Sequence, residues 1–554
     1  MAQSFKSWVF AATLLLVAVS LAMADDKAAE NFQNLRRVPD AVSVVTETNT
    51  LELQPQAGGL WRSGGVELRT HIQRDGLRVE LIAPGIAIKH LQLTWKGSLA
   101  TNWKYLGDAW ERAYGDLEWK PLDGQRVMPW YFLASSGKLT HGYGVKTGPA
   151  ALCHWTADAT GITLHADVRC GGMGVQLGSR KLGVCTVVCR NGTGGETAFE
   201  AAVAFCRQMC PNPCLPAQPV YGFNDWYCSY GKDTADGFLK NAAYTVSLAP
   251  KGRNRPFAVV DDGWQAKDEK GDGPGYGPWN TNNKRFSDAL TMPQFAERIR
   301  SVGARPGIWC RPLLANPDHP ESWRLARDHH YLDPTVPEVR DYIRQTMKRL
   351  HAWGFELIKH DFSTYDITGR WGSEMKKETT VDGWAFSDRS RTTAEVIRDF
   401  YMDIRESAGK NTVILGCNTI GHLSAGIFEL QRIGDDTSGR EWARTRKMGV
   451  NSLAFRAPQQ GTFFAVDGDC AGQVTTDSVP WEKNRQWLDL LSRSGTPLFV
   501  SFPRDTVSPV QEQALRVALA AAARRQLLAE PIDWQEKRTP AMWKLDGEKV
   551  EFSW

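Results

Sequence analysis

Two short stretches of this chain place carboxylates just past a β-like run: Ile358-Lys359-His360-Asp361-Phe362 and Arg432-Ile433-Gly434-Asp435-Asp436-Thr437. Two acids sharing one cleft are what cleavage of a glycosidic bond requires, one as nucleophile or base and one as proton donor to the departing oxygen. In Lys359-His360-Asp361, strand alternation sends residues 359 and 361 to one face and His360 to the other. An ammonium beside Asp361 favours the ionised form that a nucleophile needs, whereas His360 is expected to pack behind the strand. In the second stretch Arg432 can brace either acid or a substrate hydroxyl, and burial near another carboxylate would give one of them the raised pKa of a proton donor. Residue type and spacing do not choose between Asp435 and Asp436.

Further polar residues fall at the carboxyl ends of other strand-like runs: Asp225, Asp261 with Asp262, Arg311, Cys417 with Asn418, and Asp467 with Asp469. Trp309 stands just before Arg311 on the third of these runs. A single acid at a strand end commonly caps the next helix. A ring of polar residues on seven strands, five of them carrying acids, is harder to explain in that way and is where barrel enzymes keep their sites. Asp261-Asp262-Gly263-Trp264 pairs vicinal acids with an aromatic ring, a combination suited to holding sugar hydroxyls while the ring packs on the apolar face of the sugar. These acids lack the His and Cys partners and the EF-hand spacing of a metal site, so no metal or organic cofactor is expected. Neither a nucleotide-binding glycine motif nor a Gly-x-Ser-x-Gly elbow occurs.

Positioning these residues calls for alternating strands and helices. From Val220 onward the candidate strands are Val220 to Trp226, Phe257 to Asp261, Arg305 to Cys310, Glu356 to Asp361, Thr412 to Cys417, Glu429 to Gly434, Thr462 to Val466 and Thr496 to Ser501. Eight is the number a closed parallel barrel needs, and amphipathic stretches such as Val339 to Trp353 and Thr393 to Ser407 lie between them. An open doubly wound sheet alternates in the same manner, so periodicity alone leaves both. Residues 25–215 instead show short alternating runs such as Val66 to Ile72 and Leu77 to Ile82, which predict an antiparallel β-sandwich. The expected division is a signal peptide over 1–24, the sandwich over 25–215, a (β/α)8 barrel over 216–505, and a helix with a short β element over 506–554. In that last part Asp546-Gly547 marks a hairpin.

Residues 1–24 carry Lys6, an apolar run from Trp8 to Leu21 and a small-residue box at Ala22-Met23-Ala24. This predicts a secretory signal cleaved after Ala24, a secreted or periplasmic protein, and no later membrane span. Of 554 residues, 42% are hydrophobic and 23% charged, as in a soluble globular protein. The net charge is +4, or +3 once Lys6 is removed, and it forms no basic blocks, which argues against a nucleic-acid partner. Eleven cysteines in an exported chain predict some disulfides, with Cys185, Cys189, Cys206, Cys210 and Cys214 clustered ahead of the barrel. With no histidine nearby, that cluster reads as disulfides or buried thiols ahead of zinc.

These motifs resemble the α-galactosidase clan of retaining glycoside hydrolases, family 36 more than family 27. The resemblance covers about Val220 to Trp554. It is carried by Gly222-Phe223-Asn224-Asp225-Trp226-Tyr227, Val260-Asp261-Asp262-Gly263-Trp264-Gln265, Lys359-His360-Asp361-Phe362, Arg432-Ile433-Gly434-Asp435-Asp436-Thr437 and Ala465-Val466-Asp467-Gly468-Asp469-Cys470. It implies a barrel glycosidase in which Asp361 is the nucleophile and the acid four residues after Arg432, Asp436, is the acid/base. Asp261, Asp262, Lys359, Cys417 and Arg432 are then the implied sugar contacts, and Asp225, Trp264, Trp309 and Arg311 are expected to bind substrate beside them. The implied substrate is an oligosaccharide or glycan ending in an α-D-galactosyl-type residue. α-N-Acetylgalactosaminidase, β-L-arabinopyranosidase or galactosyl-transferase activity, a non-catalytic sugar-binding role and a homo-oligomer all stay open. Departures from the family pattern include Gly468 in place of proline, Ile427 to Gln431 in place of a glycine-rich approach, and a nearly absent C-terminal domain.

Overall fold

A computed structural model describes residues 31–265, 279, 284–287, 290–437, 440–472 and 479–554; the predicted signal peptide lies outside them. The amino-terminal part is two antiparallel sheets of seven and nine strands. Burial alternates along strands such as Ala41–Thr46 and over the first five residues of Val66–Gln73, as it must where one face meets the core and the other meets solvent. Phe132 of one sheet meets Trp155 of the other edge-to-face at 6.1 Å. Helix Ala198–Met209 starts in a capping box formed by Thr197 and Glu200 and lies over the nine-stranded sheet. Its Phe205 comes so near Gly142 that a Cβ there would stand 2.5 Å from the ring.

The second part is a curled sheet of nine parallel strands. In pairing order these are Ala465–Asp467, Leu430–Arg432, Val413–Gly416, Leu357–His360, Arg305–Cys310, Phe257–Val260, Tyr221–Asn224, Leu498–Ser501 and Cys470–Gly472. Most of them are buried at every position, as expected for parallel strands covered on both faces. Helices such as Met292–Ser301, Pro337–Ala352 and Thr393–Ser407 intervene in the chain, and two of the three begin in capping boxes. Asp403 ties two of these helices together by accepting from Arg340 and Arg344 at 2.7 Å each.

The strand expected over Thr462 to Val466 is shorter and displaced, Ala465–Asp467, and a second short strand, Cys470–Gly472, follows it. Ala465–Asp467 pairs with Leu430–Arg432, and Cys470–Gly472 pairs with Leu498–Ser501. Between them Asp469 takes a left-handed φ of 74°, which breaks strand geometry and lets Asp467 and Asp469 converge on Arg432. After helix Pro509–Ala522 the chain ends in a three-stranded antiparallel sheet, Glu530–Pro531, Met542–Leu545 and Glu548–Glu551. Its hairpin turns through Asp546 and Gly547, both at positive φ.

All eleven cysteines are unpaired, against the expectation of disulfides. Cys185 and Cys189 lie on one buried strand, Cys206 and Cys210 lie one turn apart on and just past one helix, and the Cys214 thiol donates to Glu429 at 3.4 Å. The cysteine clustering in sequence thus reflects buried or locally hydrogen-bonded thiols.

Candidate active site

Asp361 follows strand Leu357–His360, and its backbone N–H continues the ladder by donating to Cys310 O at 3.1 Å. The chain then turns sharply at Phe362, φ 65°, which lets the Phe362 N–H donate back to Asp361 Oδ1 at 2.7 Å. Trp309 Nε1 donates to the other oxygen at 3.3 Å. Burial works against the charge on Asp361. Lys359, Arg112 and the two N–H donors outweigh it and hold the carboxyl below its ordinary pKa, so Asp361 is ionised at neutral pH.

Lys359 ion-pairs with Asp261, Nζ to Oδ2 at 2.7 Å. Asp261 also accepts from Asn224 Nδ2 at 2.6 Å, and its own N–H donates to Asp225 Oδ1 at 2.7 Å. His360 turns to the opposite face among Phe400, Tyr401 and Phe428, as alternation requires. Burial there pushes its pKa down to about 3, so the ring is neutral.

Arg432, last residue of its strand, fans across three acids: Asp467 at 2.9 Å, Asp469 at 2.7 Å and Asp436 at 3.2 Å. Gly434 lets the chain between Arg432 and Asp436 press against helical backbone, since a Cβ would fall 2.0 Å from Met448 O. Partial burial and the nearby Asp469 charge raise the Asp436 pKa from its ordinary value, with Arg432, Arg112 and Lys359 opposing. Asp436 keeps 40% of its side chain exposed. Asp435 points elsewhere, to Arg112 at 3.2 Å and Arg444 at 2.7 Å. Two acids in one cavity thus lie on opposite sides of the ordinary value, the pattern of a base or nucleophile with an acid.

Asp361 and Asp436 line one cavity, together with Asp261, Asp262, Trp309, Lys359 and Arg432 among the expected residues. Four others stand behind it. Trp264 is fully buried and donates its indole N–H to Trp309 O at 2.8 Å, so its ring supports Trp309 and cannot pack on a sugar. Asp225 serves the backbone of Asp261. Arg311 is bound to Asp366 at 2.6 and 3.0 Å and stacks on Phe362. Cys417 is buried, with its thiol pushed well above its ordinary pKa by burial and by the charge on Asp361.

Asn224, Trp226, Tyr227, Phe362 and Asp469 also face the cavity; all lie in or beside the motifs singled out in the sequence. Arg112 and Tyr114 were not foreseen. They come from the amino-terminal part and line an adjoining cavity with Trp371, Ser373, Asp435, Asp436 and Asp361. The only sequence signal was the pair Glu111-Arg112 set between Trp110 and Tyr114 in an aromatic-rich stretch.

No protein-family model matches the chain. An α-galactosidase of Escherichia coli is 30% identical over 141 residues, which amounts to 23% of this chain and 18% of that relative. Among solved structures, the α-galactosidase TtGalA of Thermus thermophilus in complex with p-nitrophenyl α-D-galactopyranoside superposes with a TM-score of 0.57 at 17% identity, over 88% of this chain and 97% of that one. The family 36 α-galactosidase AgaA of Geobacillus stearothermophilus in complex with raffinose gives 0.56 at 13% identity, over 88% and 75%. The α-galactosidase of Lactobacillus brevis gives 0.57 at 14%, over 89% and 69%. At such identities the likeness concerns the fold, and function must be argued from the site.

Proposed function

We propose that this protein is a retaining exo-α-glycosidase that hydrolyses terminal α-D-galactosides. Asp361 attacks the anomeric carbon while Asp436 protonates the leaving oxygen. Asp436 then takes a proton from the water that hydrolyses the glycosyl-enzyme. The observation that carries this reading is the pairing, in one cavity, of an Asp361 held ionised with an Asp436 whose pKa is raised.

Supporting it, TtGalA and AgaA, whose folds this chain shares, have been solved with stachyose and raffinose respectively. The lysine, arginine and aspartates around the cavity suit the hydroxyls of a terminal sugar, with Asp261, Asp262, Trp309, Lys359 and Arg432 as its contacts. On this reading Ala465–Asp467 and Cys470–Gly472, at the two ends of the pairing order, are one interrupted strand that closes a (β/α)8 barrel over residues 216–505. The sandwich over 25–215 and the short element over 506–554 flank it. Export by the 1–24 signal belongs to the same proposal.

The test is turnover of p-nitrophenyl α-D-galactoside beside the α-N-acetylgalactosaminide and the β-L-arabinopyranoside, with Asp361→Ala as control. Preference for the galactoside, lost in the variant, is expected. Preference for another substrate reassigns the sugar, and binding without turnover of any would make the protein a lectin-like binder.

A further inference from the structure

The amino-terminal part reaches into the site by one segment. Ala113 N–H donates to Ile433 O at 2.7 Å and Asp435 N–H donates to Ala113 O at 3.1 Å, so residue 113 bridges in parallel to Gly434. The turn that carries Asp436 is therefore hydrogen-bonded to the other domain. Arg112, 5% exposed, projects from the same segment toward three acids: Glu111 at 2.8 Å, Asp435 at 3.2 Å and Asp436 at 4.0 Å.

Glu111 in turn is fully buried and anchored to the parallel sheet. It accepts from Gly372 N–H at 2.8 Å, from Tyr114 Oη at 3.0 Å and from Asn418 Nδ2, just past the strand Val413–Gly416. The guanidinium also lies 5.7 Å from the Trp371 ring and 5.9 Å from that of Tyr114. An arginine fixed on all sides in this way does not swing, and its charge is poorly screened by water.

We propose that Arg112, carried by the amino-terminal domain, is a positioning residue for Asp436: it grips Asp435, fixes the turn, and sets a second positive charge beside the acid that donates the proton. This rests on Asp436 being the acid/base. The other groups facing Asp436 are Arg432 and Asp435 on its own segment, Asp469 after the neighbouring strand, Lys359 and Asp361 across the cavity, Tyr227 and Tyr230 beyond the first strand, and Arg444, which donates to its backbone oxygen at 2.5 Å. Arg432 is already committed to Asp467 and Asp469. Arg112 is the cation whose loss would leave Asp435 and Asp436 facing each other with less compensation, and its charge opposes the burial that raises Asp436.

The experiment is the pH dependence of kcat/KM for phenyl α-D-galactoside, whose leaving group needs a proton, in wild type, Arg112→Gln, Arg112→Lys and Asp435→Asn. In Arg112→Gln the alkaline limb should move up by at least about one pH unit, since a unit charge at 4 Å shifts a pKa by about that much in bulk water and by more where water screens it poorly. Arg112→Lys, which keeps the charge, should leave the limb near that of wild type. Asp435→Asn, which removes the acid Arg112 grips, should move it down. An active wild type with an unmoved limb in Arg112→Gln, or a Lys variant that shifts as far as the Gln variant, overturns the proposal. If Arg112→Gln fails to fold, as judged by circular dichroism, an unmoved limb in Asp435→Asn overturns it instead. A wild type that hydrolyses no α-galactoside removes the reading of Asp436 itself, an outcome distinct from either of these.

Discussion

Lys359 makes its ion pair with Asp261, at 2.7 Å, and leaves the Asp361 carboxylate to the N–H groups of Phe362 and Trp309. The lysine thus keeps Asp361 ionised from a distance without occupying the oxygens a nucleophile must present. Asp261 is the partner that permits a charged lysine only 5% exposed. Asp261→Asn is expected to lower stability by about 3–5 kcal/mol, because it strands a buried ammonium. A depressed Tm together with a lower kcat/KM checks it. An unchanged Tm would mean that the pair is not buried as described.

On the proposed mechanism Asp361 and Asp436 set the pH window. Asp361 must be ionised and its pKa lies below the ordinary carboxylate value, so activity falls only in acid below that range. Asp436 must be protonated and its pKa lies above that value, so activity falls as pH rises through it. The kcat/KM profile should be a bell with its plateau between these two limits. Asp436→Asn should remove the alkaline limb along with most of the activity on substrates with poor leaving groups, and pH profiles on such substrates check both points.

His360 adjoins Asp361 in sequence yet is separated from the cavity by the strand itself, among three aromatic rings. His360→Phe is expected to leave kcat/KM near that of wild type and to cost less than about 1.5 kcal/mol of stability, as a volume-conserving core change does. No inflection near the ordinary histidine pKa should appear in the wild-type profile, since its ring is neutral above about pH 3. Loss of activity in this variant at unchanged stability would contradict the assignment.

Much of this site was legible because strand periodicity is strict. Once Leu357–His360 is a strand, Lys359 and Asp361 must share a face, and the ends of the other parallel strands must share a rim. What stayed hidden depends on contacts distant in sequence. Alternation could not tell that the Trp264 ring would be covered by Trp279 and Trp353, or that Asp225 would serve the Asp261 backbone. Arg112 lies more than 300 residues from Asp436 in the chain, and nothing local to it marks the approach. The split strand at 465–472 was missed because Asp469 adopts a left-handed conformation uncommon outside glycine.

Trp264 and Trp309 should separate in their effects. Trp264→Phe removes the donor to Trp309 O and should cost about 1–3 kcal/mol of stability with little change in KM. Trp309→Phe removes a donor to Asp361 and should move the acid limb of kcat/KM upward at nearly unchanged Tm. Thermal melts and pH profiles on both variants decide, and a raised KM in Trp264→Phe would return that ring to the sugar.

The central claim is that Asp361 forms a covalent bond to the sugar. Incubation with a 5-fluoro-galactosyl fluoride, which is cleaved to the glycosyl-enzyme faster than that intermediate is hydrolysed, followed by peptide mass spectrometry, tests it directly. A single galactosyl adduct on the peptide containing Asp361, absent in Asp361→Ala and accumulating as activity is lost, is the predicted result. Turnover without any adduct and with inversion at the anomeric carbon, or an adduct on another carboxylate, would contradict it.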